Sequence, residues 1–149
     1  MGRRWRDGTG TLVVTGGDGG ADAGDTGVGG GGVGGGDGVG GGGNSGGVRV
    51  PLEVAASYRA RTRGLLGRDS LEGAMLLTPA GGVHTFRMRM PIDVAFLDRR
   101  MRVLAVVTMR PGRMGLPRLR ARHVLEAEAG AMSRWGVRKG VRVAVEADR

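Results

Sequence analysis

Apolar and polar positions alternate with a period of two in several short segments of this chain, and helical spacing is confined to two short windows. The opening WRDGTGTLVV passes from polar turn residues into a β-branched run, which predicts a short strand at Thr11–Val14. VRVPLEV, Val48–Val54, predicts a second strand, and Pro51, lacking an amide donor, belongs at an edge or a bulge. Ser57 suits the N-cap of a helix from Tyr58 to Leu66 with Gly67 past its end. Tyr58, Leu65 and Leu66 are its expected buried residues, and Arg59, Arg61 and Arg63 its solvated ones. Gly64 inside it suggests close approach to another backbone. Ala74–Thr78 is an apolar strand running into a turn, and VHTFRMRM alternates until Pro91 breaks it. IDVAFLD and RVLAVVTM flank a tight Arg99–Arg100–Met101 connection and predict a hairpin. PGRMGLP is loop, RHVLEAE a strand, Ala129–Trp135 a short helix closed by Gly136, and VRVAVEA a last strand. Many strands with two short helices predict an α+β fold. The expected form is a single small domain, a curled, mostly antiparallel sheet or small barrel with a helix plugging one side. Trp135 is expected on the main core, near Leu125 and Leu65.

One segment has no pattern. Of 33 glycines, 23 fall between Gly2 and Gly47, and residues 16–47 are almost only Gly, Asp, Val and Ala. So little apolar surface cannot offset the chain entropy, and a flexible, disordered Gly-rich insertion is expected there. Pairing of the strands on either side would make it an overgrown hairpin loop. The domain organisation is then an N-terminal strand in residues 1–15, the insertion in 16–47 and the main domain in 48–149.

Charge and composition narrow the picture. The net charge is +9, and residues 48–149 carry 20 basic against 9 acidic side chains. Such a balance favours anionic partners in principle. Lys139 is the one lysine among 23 basic residues, a skew that a GC-rich genome also produces. The absence of cysteine removes disulfides, iron–sulfur clusters, thiol catalysis and Cys-type zinc sites. Arg3-Arg4 is not followed by the apolar run a signal peptide needs, and no apolar stretch approaches a membrane span, so a cytoplasmic location is expected.

Polar chemistry concentrates in GVHTFRMRMPIDVAFLD, Gly82–Asp98. His84, Arg87, Arg89 and Asp93, with Arg63 from the first helix, are the candidate binding residues. Asp93 lies between Ile92 and Val94 in an apolar strand, where a bare carboxylate is costly, so an arginine partner is expected, Arg89 first and Arg63 second. Arg87 and Arg89 should project from one side of a strand, opposite Met88 and Met90. Arg118, Arg120 and Arg122 repeat that spacing as a secondary basic face; if the two adjoin, five guanidiniums could grip carboxylate or phosphate. His84 and His123 are too few for an expected metal site, and TGGDGG after Val13-Val14 lacks the helix a phosphate loop requires, so no cofactor is expected. No Gly-x-Ser-x-Gly elbow appears.

The runs EVAASYRARTRGLLGRDSLEGAMLL, GVHTFRMRMPIDVAFLD and ARHVLEAEAGAMSRWGVRKG, in that order and spacing, resemble the bacterial domain of unknown function 192 family. The resemblance covers nearly all of Val48–Val145, and the Trp5-Arg6-Asp7-Gly8 start also belongs to some relatives. Where many relatives have an Asp-Gly turn this chain has Arg100-Met101, and Phe86-Arg87-Met88-Arg89 replaces an aromatic-Met-Lys-Asn segment. The resemblance implies an α+β barrel-like fold and no established reaction.

The favoured functional expectation is a non-enzymatic binding or accessory module that takes an anionic small molecule or an acidic peptide at an arginine-rich rim. The alternative is a small enzyme using His84 and Asp93 as an acid–base pair. A third reading, weak non-specific nucleic-acid binding, is less favoured, because only Phe86 of five aromatics lies within either arginine ladder.

Overall fold

Seven strands form one mixed sheet, described in a computed structural model over residues 4–15 and 47–148. They are β1 (Gly8–Val14), β2 (Val48–Ala55), β3 (Ala74–Leu77), β4 (Ile92–Leu97), β5 (Val103–Met109), β6 (His123–Glu128) and β7 (Val143–Ala147), in the spatial order β5-β4-β6-β3-β2-β1-β7. All pairings are antiparallel except β2 with β3. The two helices are short, α1 (Tyr58–Arg63) and α2 (Ala131–Trp135).

The sheet curls without closing. Its edge strands approach at one corner, where Arg102 bridges Arg142 and the Val103 amide donates to the Val141 carbonyl at 2.8 Å. Alternation along the strands divides the apolar side chains between two faces. The enclosed face takes residues from all seven strands, among them Leu12, Leu52, Leu76, Leu97, Val103, Leu125 and Val143, and α2 plugs it with Ala131 and Met132. The other face carries Met75, Leu77, Ile92, Val94, Phe96 and Val124 and is covered by Leu65, Leu71, Met88 and Met90 from the loops. Both faces are therefore buried, and β3, β4 and all of β6 but Glu128 read as continuous buried runs.

Most elements fall where the pattern puts them, and the exceptions have local causes. β1 and β2 pair from Gly8↔Val54 to Val14↔Val48, as a hairpin requires; the predicted insertion, apart from Gly47, lies outside the described residues. Pro51 is on an interior strand, not an edge. It faces Thr11 on β1, and on its other side the β3 ladder begins only at the next residue, Leu52↔Ala74. Gly73, at φ +78°, passes that point so closely that a Cβ would collide with the Pro51 carbonyl.

α1 stops at Gly64 rather than at Leu66, because Gly64 adopts φ +45° and its amide closes the last turn on the Ala60 carbonyl. Its Cβ position has no close neighbour beyond the Arg61 carbonyl, so Gly64 serves the helix end and not a backbone crossing. Tyr58 (79%) and Leu66 (38%) are consequently exposed, and Leu65 alone of the expected three is buried. Trp135 is half-buried against the enclosed cluster that holds Leu125, whereas Leu65 belongs to the opposite face.

Candidate functional site

A cleft of about 350 Å³ opens between α1 with its following turn and the segment 79–84. Its existence follows from how α1 is fastened. A six-residue helix has little stability of its own. The Ser57 hydroxyl caps it by accepting from the Ala60 amide at 3.1 Å. Asp7, ahead of β1, accepts from the amides of Ala56 at 2.6 Å and Ser57 at 2.8 Å. Hydrogen bonding to Asp7 from the Ser57 side chain foremost, and then from these two amides, holds its carboxylate below the ordinary range. From the far side Arg61 donates to the Pro79 carbonyl at 2.7 Å, tying the helix to the chain leaving β3.

The opposite wall is fixed just as locally. Thr85 is fully buried, its hydroxyl donates to the Arg110 carbonyl at 2.6 Å, and its amide donates to Arg113 at 2.7 Å. That anchor sets His84 at the rim, exposed, stacked on Phe86 with ring centroids 5.1 Å apart. Val83, Leu65, Leu77 and Met88 make the walls apolar, and Arg61, Arg63, Tyr58 and Thr62 complete the mouth. Among the described residues the Arg63 guanidinium has no ion-pair or hydrogen-bond partner.

The floor holds Glu126, which the sequence reading did not single out. It is 3% exposed, stands on the central strand β6 between Met75 and Val94, and lines the cleft. No described side chain or amide pairs with its carboxyl, and burial pushes it up to about 7. Alternation in HVLEAE puts Glu126 on the same side as Val124 and Glu128, which resembles a solvated face. The signal lay in the neighbours, since Val94 and Met75, on the same face, are apolar.

Of the predicted site residues, the structure brings His84 and Arg63 together in the cleft and leaves the rest outside it. Asp93 is buried, 3% exposed, but no described arginine engages it. It accepts from the Thr108 hydroxyl at 2.6 Å and from the amides of Gly130 at 2.9 Å and Met132 at 3.2 Å. Thr108 stands on the neighbouring strand β5, and the two amides belong to the start of α2, where free amides attract a carboxylate. Asp93 thus holds α2 against the enclosed face, whereas His84 lines the cleft on the other. His84 and Asp93 therefore line different hollows, one beside α1 and the other beside α2, and the structure does not bring them together as a pair. Arg89 is paired instead with the exposed Asp69 at 3.4 Å.

Arg87 and Arg89 are exposed and Met88 and Met90 buried, so the alternation holds, but the segment is a turn and not a strand: Arg87 has φ +62°. The secondary ladder divides. Arg118 lies over the Phe96 ring at 5.0 Å and lines a hollow with Arg110 and Arg113. Arg120 and Arg122 line a different one with Asp98, Arg99 and Arg100. The two ladders do not make one five-guanidinium surface.

His123 is buried on the enclosed side, its Nδ1 2.7 Å from the Thr78 hydroxyl and its ring edge-on to Trp5. Burial lowers its pKa, with Asp98 opposing. Among the described residues no three His, Asp or Glu side chains converge as metal ligands, and no helix is long and apolar enough to cross a membrane.

Comparison with known proteins places this architecture. A UPF0127 protein of Pyrococcus horikoshii is 32% identical over 84 residues, 53% of this chain and 73% of the relative. One from Pyrococcus abyssi is 31% identical over 84 residues, 53% of this chain and 72% of the relative. Both are archaeal, so the expectation of a bacterial family was too narrow. Two solved structures share the fold. A protein of unknown function from Novosphingobium aromaticivorans has a TM-score of 0.57 at 24% identity, over 64% of this chain and 76% of its own. A candidate transcription regulator from Sinorhizobium meliloti has a TM-score of 0.65 at 16% identity, over 96% and 98%. The family model described as Uncharacterized ACR matches residues 42–145, and the chain belongs to this family, domain of unknown function 192.

Proposed function

We propose that this protein is a non-enzymatic ligand-binding domain that takes a small anionic molecule in the cleft beside α1. The observation that carries the reading is the cleft itself, with apolar walls and with the unpaired Arg63 guanidinium and the exposed His84 at its mouth. At about 350 Å³ it falls at the lower end of small-molecule sites. Guanidinium geometry suits carboxylate and phosphate, and the exposed Tyr58 and Leu66 offer apolar surface to the ligand's body.

The test is a thermal-shift screen of aliphatic carboxylates, dicarboxylates and sugar phosphates. A ligand that binds only the folded state raises Tm in proportion to the logarithm of its saturation. The expected result is a shift that is lost in Arg63→Ala and retained in Arg120→Ala. The reverse pattern would favour a second reading, an acidic peptide in the hollow where Arg99, Arg100, Arg120 and Arg122 meet. No shift with any anion contradicts both.

A further inference from the structure

Resting on the cleft reading, we infer that the ligand is two-ended: an anionic group held at the mouth by Arg63, and an ammonium or amidinium group delivered to the Glu126 carboxyl on the floor. The inference begins from an imbalance. A central sheet position facing Met75 and Val94 would ordinarily be apolar, yet it holds a carboxyl without a described partner. Among the described residues no fully enclosed side-chain oxygen lacks a partner, so the Glu126 carboxyl oxygens, which have none, are open to the cleft, where a ligand can supply the donor. The walls between floor and mouth, Leu65, Leu77, Val83 and Met88, contribute only apolar side chains, so a ligand must span a dry stretch before it reaches Glu126.

A purely anionic ligand fits that floor poorly. Any ionised Glu126 would repel it, and the low local dielectric strengthens the repulsion. A cation on the same ligand reverses the sign. Because burial already pushes Glu126 up to about 7, its ionisation near neutrality costs little, and an ammonium completes the pair. The other charged and titratable groups facing this cleft are Arg61, Arg63 and Tyr58 on the α1 side and His84 on the opposite wall. None of them is acidic, so among the described residues Glu126 is the cleft's one site for a cation.

Three probes of matched length separate the ends: 6-aminohexanoate, hexanoate and hexylamine, titrated against the full-length protein by NMR at about pH 8, where Glu126 is mainly ionised. The expected result is 6-aminohexanoate binding about tenfold or more tighter than hexanoate. Glu126→Gln should erase that ratio while hexanoate binding survives. Arg63→Ala should weaken both acids alike. Glu126→Leu, which suits the apolar surroundings, guards against a folding defect in the amide variant. Equal affinity for the two acids in the wild type, or a ratio that persists without Glu126, overturns the two-ended ligand and leaves the anion site standing. Failure of both acids to bind overturns the cleft reading as well.

Discussion

Glu126 and His123 lie three residues apart in register and pull stability in opposite directions with pH. The folded state raises the Glu126 carboxyl from 4.5 to about 7, so between those values the native protein holds a proton that the unfolded chain has lost. Stability from this group is therefore highest below pH 4.5 and declines as pH rises through 7, by about 3 kcal/mol in all. Glu126→Gln should match the wild type in acid and exceed it by up to that amount above pH 7, read from urea unfolding across pH. A difference that does not change with pH would contradict the assignment. His123 acts oppositely: its lowered folded pKa means that the unfolded chain protonates first as pH falls below 6.5, and stability is lost. Asp93→Asn removes one acceptor oxygen from the three donors it serves and should cost about 1–3 kcal/mol. A loss below about 0.5 kcal/mol in urea titration would show those bonds to be incidental. That Asp93 would be buried and satisfied was legible from its apolar flanks. Its donors were not, because Gly130 and Met132 come from an element 37 residues onward that only the fold delivers.

The elements are held by fastenings at their ends more than by their own length. α1 depends on its Ser57 cap, and Ser57→Ala should cost about 1 kcal/mol in chemical denaturation, with an unchanged midpoint counting against the cap. β1 pairs with β2 along its whole length, up to the ends that the insertion joins. Val14 faces Val48, and Gly47 abuts the Val14 carbonyl, so the chain leaving β1 and the chain entering β2 are already adjacent. Replacing residues 16–46 by a two-residue turn shortens the closed loop about eightfold and should raise stability by about 2 kcal/mol. A lower Tm in the shortened protein would show that the tract contributes contacts. Strand existence was readable throughout because both burial patterns, alternating and continuous, are short-range. The segment from Val83 to Met90 was misread as a strand for a definite reason. Its alternation comes from a turn at Arg87 pinned by Thr85, and a turn that buries every second side chain imitates a pleat.

At the scale of the whole molecule, the curled sheet has two covered faces, and the division of labour between them organises everything else. The enclosed face is structural, with α2 and Asp93 closing it. The other is roofed by α1 and the 79–90 loop, and the gap between those two pieces is the cleft. Sequence periodicity separates the two faces of a strand but not which of them is roofed, since that depends on the order β4-β6-β3, which pairs distant parts of the chain. For that reason the sequence grouped Asp93 with His84 and Arg63, whereas the fold puts His84 and Arg63 beside Glu126 at the cleft and Asp93 beside α2. The central claim is that the cleft beside α1 is the ligand site. Amide chemical-shift mapping with 6-aminohexanoate tests it most directly. The account predicts perturbations concentrated at Thr62–Leu66, Gly82–His84 and Glu126. Perturbations centred instead on Arg99, Arg100, Arg120 and Arg122, or spread evenly over the basic surface, would contradict it.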